Sequence, residues 1–308
     1  MQQRSNVLTS ARTVGGVALA TVTLAALTAC GGGGGDNSPA TVSTMSVAAT
    51  KYGTPALVTV SGTHLGNLSL TAPGCKNVTR LTAAPTASTD TTAYFSCTPS
   101  GAYTSTISAV TNGTTLTTQP LTVQPPIVAM TVSGGGGGSV NGTIIFNLKG
   151  DKAPITVDNF LAYVNAGFYN GTIFHRVVPG FVVQGGGYTG PVTSGTLPTH
   201  KATNAPIALE TTGGSNVQWT VAMARTADDN SATSEFFFNL IDNHLSLDKG
   251  AGTDGYAVFA DVTSSAAVVQ AIAAASPCLA LLSGGTALQD GSCVPVPNVA
   301  ITTATQTQ

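Results

Sequence analysis

Short runs in which apolar residues alternate with polar ones fill the first half of the chain. Ala56–Val60, Leu68–Leu70, Tyr103–Val110 and Thr114–Val123 are strand-like stretches of this kind. A two-residue period is that of a half-buried β-strand. Turn formers separate the runs: Tyr52-Gly53-Thr54-Pro55, Pro73-Gly74 and Asn112-Gly113. Residues 41–124 therefore predict a small, Ig-like β-sandwich. No residue in it belongs to a recognisable catalytic set, so it reads as a spacer or docking module. Gln119–Pro126, with Pro120, Pro125 and Pro126, reads as a stiff linker.

The pattern then changes. Val128, Met130 and Val132 alternate before the run Gly134–Gly138, and Ile144, Phe146 and Leu148 alternate after it, which predicts a hairpin with a loose glycine loop. Val157, Phe160, Leu161 and Val164 follow at i, i+3, i+4 and i+7, the apolar stripe of a helix. Pro154 suits its entry, Thr156 is a candidate N-cap, and Gly167 ends it. A second helix is expected over Ser264–Ala275. Between the helices lie only strand-like runs: Ile173–Val177, Phe181–Gln184, Trp219–Ala224, Phe236–Leu240 and Tyr256–Val262. Two helices against many antiparallel strands predict a mainly β domain over 127–308, a closed barrel with two capping helices.

Composition adds a compartment. Arg4 and Arg12 flank an n-region, and Val14–Leu27 is an apolar stretch too short to span a bilayer. It ends in Leu27-Thr28-Ala29-Cys30, followed at once by glycines. This resembles a bacterial lipobox, with residues 1–29 as signal peptide, Cys30 lipidated and 30–40 a flexible tether. The other reading is an ordinary secretory signal cut near Ala29. The lipoprotein reading places the protein in a bacterial cell envelope, on the periplasmic face of a membrane and held by its lipid alone. Exported chains sit where disulfides persist. Cys75, Cys97, Cys278 and Cys293 permit three connectivities; with the pairs in separate domains, Cys75–Cys97 and Cys278–Cys293 is the economical choice. Charged residues make up 8 % of the chain and the formal net charge is −2, which leaves no basic face for nucleic acid.

Chemistry concentrates at one arginine. Only Arg176 and Arg225 occur after residue 126, and Arg176 sits inside Ile173-Phe174-His175-Arg176-Val177-Val178, an otherwise apolar run. A guanidinium there must find acceptors or line a pocket, because it cannot shed its charge; the alternative is an arginine snorkelling from a sheet edge to water. After the turn Pro179-Gly180 the chain returns, and Gln184 shares its face with Val182, so its amide can orient the guanidinium. Other signals carry less. Gly185–Gly190 fits GxGxxG but no helix opens after it, which argues against a dinucleotide. His64, His175, His200 and His244 lack metal-ligand spacing, and Asp228-Asp229-Asn230 reads as a solvated loop. No metal and no cofactor are expected.

Phe174-His175-Arg176-Val177-Val178-Pro179-Gly180-Phe181-Val182-Val183-Gln184-Gly185-Gly186-Gly187 resembles the signature segment of cyclophilins. Ala153–Phe160, Val221–Arg225, Ser234–Asn239 and Asp254–Phe259 match the same family in order and spacing. The resemblance implies a peptidyl-prolyl cis/trans isomerase acting on proline-containing unfolded or flexible polypeptides, monomeric and assisting the folding of exported proteins. It implies that Arg176 bonds the substrate carbonyl, with Gln184 holding it and Phe181 beside it. Val182, Phe237 and Leu247 would grip the proline ring, and backbone groups near Ala224 and Arg225 would pin the peptide. Tyr256 stands where eukaryotic members have His. Trp219 replaces a common Gly, and Glu235 replaces the usual Gln, putting a negative charge near the pocket rim that would favour basic substrates. The Cys278–Cys293 region is an insertion relative to the family. Two rival functions remain on sequence grounds: a catalytically weak peptide-binding or chaperone module on the same fold, and a surface adhesin acting through residues 41–124. The segment Asn243–Asp248 lacks the aromatic found there in many members, so cyclosporin should bind weakly; tight inhibition in a titration would contradict the alignment.

Overall fold

The computed structural model describes residues 38–308, so the signal peptide, Cys30 and most of the tether lie outside the described residues. Among the described residues no helix is long and apolar enough to cross a membrane. The N-terminal part holds β1 (Thr41–Val47), β2 (Ala56–Thr63), β3 (Ser69–Thr71), β4 (Cys75–Arg80), β5 (Thr92–Pro99), β6 (Thr104–Thr111) and β7 (Thr114–Thr122). They form two antiparallel sheets, ordered β1-β2-β5-β4 and β3-β6-β7. Val58, Val60, Phe95 and Cys97 are buried at alternate positions, as the period predicts. Cys75 and Cys97 are bonded, with Cα atoms 5.5 Å apart. The expected linker is shorter than its prolines suggest. Gln119–Thr122 belongs to β7, with Gln119 and Leu121 buried. Pro120 is tolerated because β7 is the edge of its sheet.

The second part begins with β8 (Ile127–Gly134) and β9 (Val140–Leu148), paired from Ile127↔Asn147 to Gly134↔Val140 around the glycine loop. Then come α1 (Pro154–Asn165), β10 (Arg176–Val178), β11 (Val182–Gly185), β12 (Thr220–Met223), β13 (Phe236–Asn239), a one-turn α2 (His244–Leu247), β14 (Val258–Asp261) and α3 (Ala266–Ala273). The chain ends with β15 (Cys278–Ala280), the two-residue strands β16 (Leu282–Ser283) and β17 (Thr286–Ala287), β18 (Cys293–Pro295) and β19 (Ala300–Gln306). Ten strands form one sheet ordered β15-β18-β10-β11-β13-β12-β14-β9-β8-β19. The stretch before β10 also bonds to β19 at the far end of that order: Phe174 N–H donates to Val299 O (3.0 Å) and Ile301 N–H to Thr172 O (2.7 Å). One face of the sheet is packed with aromatic rings. Phe146, Phe160, Phe174, Phe236, Phe238 and Phe259 are fully buried, with centroids 5.0–6.4 Å apart in the contacting pairs.

Two sequence expectations for the helices need correction. Thr156 does not cap α1: the N-cap residue is Ala153, with no side-chain cap bond. The orphan N–H groups of Ile155 and Thr156 instead donate to the Glu210 carboxylate at 3.2 and 2.7 Å. A carboxylate arriving from a distant loop satisfies the helix terminus as well as a local cap does. The second helix starts at Ala266, after a tighter turn over Thr263–Ser265. Trp219 has φ 67°. That left-handed conformation favours glycine and costs a bulky residue about 1–3 kcal/mol, a physical reason for the glycine that the resemblance leads one to expect there.

The two parts share one continuous core. Tyr52 is fully buried at the junction; its hydroxyl donates to Gly150 O (2.9 Å) and accepts from Gly101 N–H (2.9 Å). A Cβ at Gly150 would lie 2.6 Å from the Tyr52 ring, so glycine is required for the approach. Tyr103 donates to Leu148 O (3.1 Å), and Asp158 of α1 pairs with Lys76 (2.6 Å). α1 also buries Thr156 and Tyr163 beyond its predicted stripe: Thr156 bonds the Glu210 carboxylate, and Tyr163 packs on Phe168 and accepts from Asn204 N–H. The N-terminal part is docked, and it docks away from the site described below. Tyr52→Phe removes the donor to a buried carbonyl and should lower stability by about 1–3 kcal/mol in denaturant unfolding. An unchanged midpoint would show that the junction does not depend on this hydroxyl.

Candidate active site

Strand register builds the site. Arg176 is the partner of Gln184, Gln184 of Phe237, Phe237 of Ala222, and Ala222 of Val258. These five residues form a row across β10, β11, β13, β12 and β14, and directly paired residues share a face. The neighbouring row, Val177–Val183–Phe238–Val221–Ala260, faces the aromatic core. Three successive phenylalanines in β13 thus divide, Phe236 and Phe238 to the core and Phe237 to the opposite face. There Phe237 joins Val178, Val182, Ala222, Leu247 and Val258 in a second apolar cluster, with Phe181, Ala224 and Tyr256 packed against it.

A cleft of about 230 Å³ opens on this second cluster, lined by Arg176, Phe181, Val182, Gln184, Ala224, Arg225, Phe237, Leu247 and Tyr256. It brings together every catalytic and substrate-binding residue singled out in the sequence. Its volume suits a ring-sized side chain better than a drug-sized ligand, which takes about 300–1,000 Å³. The floor is apolar and the two arginines stand on its rim. Arg225 is tied down: Nε donates to Gly255 O (2.9 Å), Nη2 to Thr253 Oγ1 (3.0 Å), and Nη1 pairs with Asp229 (3.1 Å). Its guanidinium carbon lies 4.8 Å from the Tyr256 ring centroid, and Tyr256 meets Phe237 edge-on at 5.5 Å. The Ala224 N–H donates to Glu235 O (2.9 Å), so that N–H is not the backbone group that pins a peptide.

Arg176 is a quarter exposed, and its charge is answered on two sides. Nη1 donates to Gln184 Oε1 (3.2 Å), Nε to Ser292 Oγ (2.9 Å) and Nη2 to Asp290 Oδ2 (2.7 Å). Gln184 in turn donates from Nε2 to Glu235 Oε2 (2.6 Å). Glu235 does not project a charge onto the rim. Its side chain is 17 % exposed, with His200 Nε2 2.7 Å from Oε1 and His175 Nε2 3.2 Å from Oε2. A carboxylate only accepts, so each facing nitrogen carries the proton. Glu235 is also absent from the residues that line the cleft, so its negative charge meets the site through Gln184 and not at the rim itself. Burial pushes the Glu235 carboxyl up, but the bonds from His175 and Gln184 and the nearness of His200 outweigh it, leaving the group below its ordinary value of 4.5. The chain His200–Glu235–Gln184–Arg176 fixes which way the Gln184 amide faces.

Asp290 and Ser292 escaped the sequence reading. The only available signal was an excess of guanidinium donors over the acceptors named near Arg176, and it points to no residue in particular. Among the described residues no cluster of His, Cys, Asp or Glu suits a metal ion.

The profile of the family described as "Cyclophilin type peptidyl-prolyl cis-trans isomerase/CLD" matches residues 127–306. Peptidyl-prolyl cis-trans isomerase A of Dickeya dadantii (strain 3937) is 48 % identical over 132 residues, 42 % of this chain and 66 % of that protein. Peptidyl-prolyl cis-trans isomerase cyp18 of Streptomyces antibioticus is 48 % identical over 136 residues, 42 % of this chain and 77 % of the relative. Peptidyl-prolyl cis-trans isomerase B of Escherichia coli (strain K12) is 44 % identical over 135 residues, covering 43 % and 79 %. The chain thus spans just under two thirds of the Dickeya protein.

A folded-state value below the ordinary one means that Glu235 stabilises the protein above pH 4.5 and that this contribution is lost as pH falls through the lowered value. Wild type should exceed Glu235→Gln by about 1–3 kcal/mol at pH 7. In thermal melts the gap should close as the solution is taken below pH 4.5; a gap constant with pH would show that the carboxylate charge has no part in it.

Proposed function

Because the chain belongs to the cyclophilin-type peptidyl-prolyl cis-trans isomerases, we propose that the cleft beside Arg176 accelerates rotation about Xaa-Pro bonds in flexible polypeptides. The observation that carries this reading is a fixed guanidinium, held by Gln184 at 3.2 Å, at the rim of an apolar cleft sized for a proline ring. The prolyl bond is a tertiary amide with a rotation barrier of about 18–20 kcal/mol, so uncatalysed exchange takes tens to hundreds of seconds. No covalent step is needed: favouring the twisted amide is enough. The proline ring enters among Phe181, Val182, Phe237 and Leu247, which anchors one side of the bond. A donor N–H of Arg176 meets the substrate carbonyl. Because the guanidinium is already oriented, it stabilises the altered dipole of the twisted state without reorganising. Tyr256 closes the cleft edge beside Phe237.

Several finer readings belong with this one. The bonds between Thr172–Phe174 and Val299–Ile301 support a sheet that closes on itself into a barrel, with α1 and α3 as its caps. The facing sheets of residues 41–124 support an Ig-like sandwich, held to the isomerase domain by Tyr52. Leu27-Thr28-Ala29-Cys30 supports a lipid anchor, and the two bonded cysteine pairs support an oxidising compartment. On this reading the protein is a monomer of the periplasmic face of a bacterial membrane, and its substrates are exported chains in the course of folding.

Exchange spectroscopy of a short Xaa-Pro peptide with the full chain tests the activity. Wild type should bring exchange to the sub-second range, and Arg176→Ala should cut kcat/KM by about 10²–10³-fold, the usual cost of removing one preorganised donor. A variant that turns over like wild type would remove Arg176 from the mechanism.

A further inference from the structure

The inserted loop between α3 and β19 reaches the cleft arginine. The Cys278–Cys293 bond, with Cα atoms 5.5 Å apart, staples β15 to β18. Cys293 pairs across β18 and β10 with Val177, the residue after Arg176, so the staple lies beside the site. Leu281 and Val294 seat the loop in a small apolar cluster with Ile173 and Val192. Within the turn Asp290-Gly291-Ser292, the Ser292 N–H donates to Asp290 Oδ1 (2.9 Å). That bond leaves Oδ2 and the Ser292 hydroxyl aimed together at the guanidinium, at 2.7 and 2.9 Å.

Two features decide what this arrangement does. Asp290 and Ser292 are not among the residues that line the cleft, so the loop holds the arginine without occupying the substrate's place. Of the five N–H donors of a guanidinium, one each on Nε, Nη1 and Nη2 is taken by Ser292, Gln184 and Asp290. Two remain for a substrate carbonyl.

Resting on the isomerase reading above, we propose that Asp290 and Ser292 are positioning residues of the active site: a clamp, carried by the Cys278–Cys293 loop, that fixes the Arg176 guanidinium from the side opposite Gln184. Arginine is long and rich in rotamers, and Gln184 alone holds it at a single nitrogen. Acceptors at Nε and Nη2 fix the plane of the group as well as its place, which is what an oriented donor requires. The charge needed for the clamp persists at neutral pH, since hydrogen bonds from Ser292 and Arg176 hold the Asp290 carboxyl down at about 2. Asp290 is 45 % exposed, and such a pair contributes little to stability. Its removal therefore separates catalysis from folding.

The test compares full-length wild type, Asp290→Ala and Asp290→Asn in peptide exchange, with the Arg176 Nη2–H resonances followed by ¹⁵N NMR, since Asp290 bonds Nη2. Asp290→Ala should lower kcat roughly tenfold with KM and melting temperature nearly unchanged, within the range that small misplacements cost. Its Nη2–H protons should exchange faster with water. Asp290→Asn keeps an acceptor oxygen and should recover most of the loss. Asp290→Ala turnover equal to or above wild type would overturn the clamp. Wild type without turnover would overturn the isomerase reading and the catalytic role with it, and Nη2–H signals unchanged in Asp290→Ala would show that Asp290 does not hold the guanidinium either.

Discussion

Everything in the site depends on strand register. The row Arg176–Gln184–Phe237–Ala222–Val258 crosses five strands, and a slip of one residue in any of them would exchange it for the row that faces the aromatic core. A slipped β10 would bury a guanidinium among phenylalanines, at a cost that no contact there repays. The charge therefore selects the register as strongly as the apolar residues do. Three phenylalanines in succession serve both faces, which is why β13 can be apolar throughout and still belong to the surface of the cleft.

Placing a permanent charge at the edge of an apolar cleft requires acceptors, and this protein supplies them from two directions. On one side the acceptor is a neutral amide whose orientation is fixed by a half-buried carboxylate and two histidines. On the other it is a stapled loop with an ionised carboxylate and a hydroxyl. The two arrangements share a logic: each residue that touches the arginine is itself held by another group, so the guanidinium stands preorganised before any substrate arrives. The N-terminal sheets take no part in this network. Their contacts run from Tyr52 to Gly150 and from Lys76 to Asp158 of α1, away from the cleft.

Much of this was legible from the chain because it rests on local periods. Alternation over Val128–Val132 and Ile144–Leu148 marked the hairpin, and the stripe Val157–Val164 marked the helix. Arg176 stood out as a charge in an apolar run, and Gln184 followed from the turn between them. The residues that stayed hidden act over long separations. Glu210 reaches the start of α1 from 54 residues away and Asp290 reaches Arg176 from 114; neither leaves a periodic trace. Glu235 was found but set too near the rim, since sequence does not show that it lies behind Gln184. Pro120 misled in the opposite way, because a proline at a sheet edge resembles a linker until the edge is known.

The most direct test of the central claim is the structure of the protein with an Ala-Pro peptide bound. The account predicts the proline ring seated on Phe237 between Phe181 and Leu247, with the carbonyl oxygen before it about 3 Å from a nitrogen of Arg176. Gln184 and Asp290 should remain on the same guanidinium. A peptide bound elsewhere, or a ring in the cleft whose carbonyl turns away from Arg176, would contradict it.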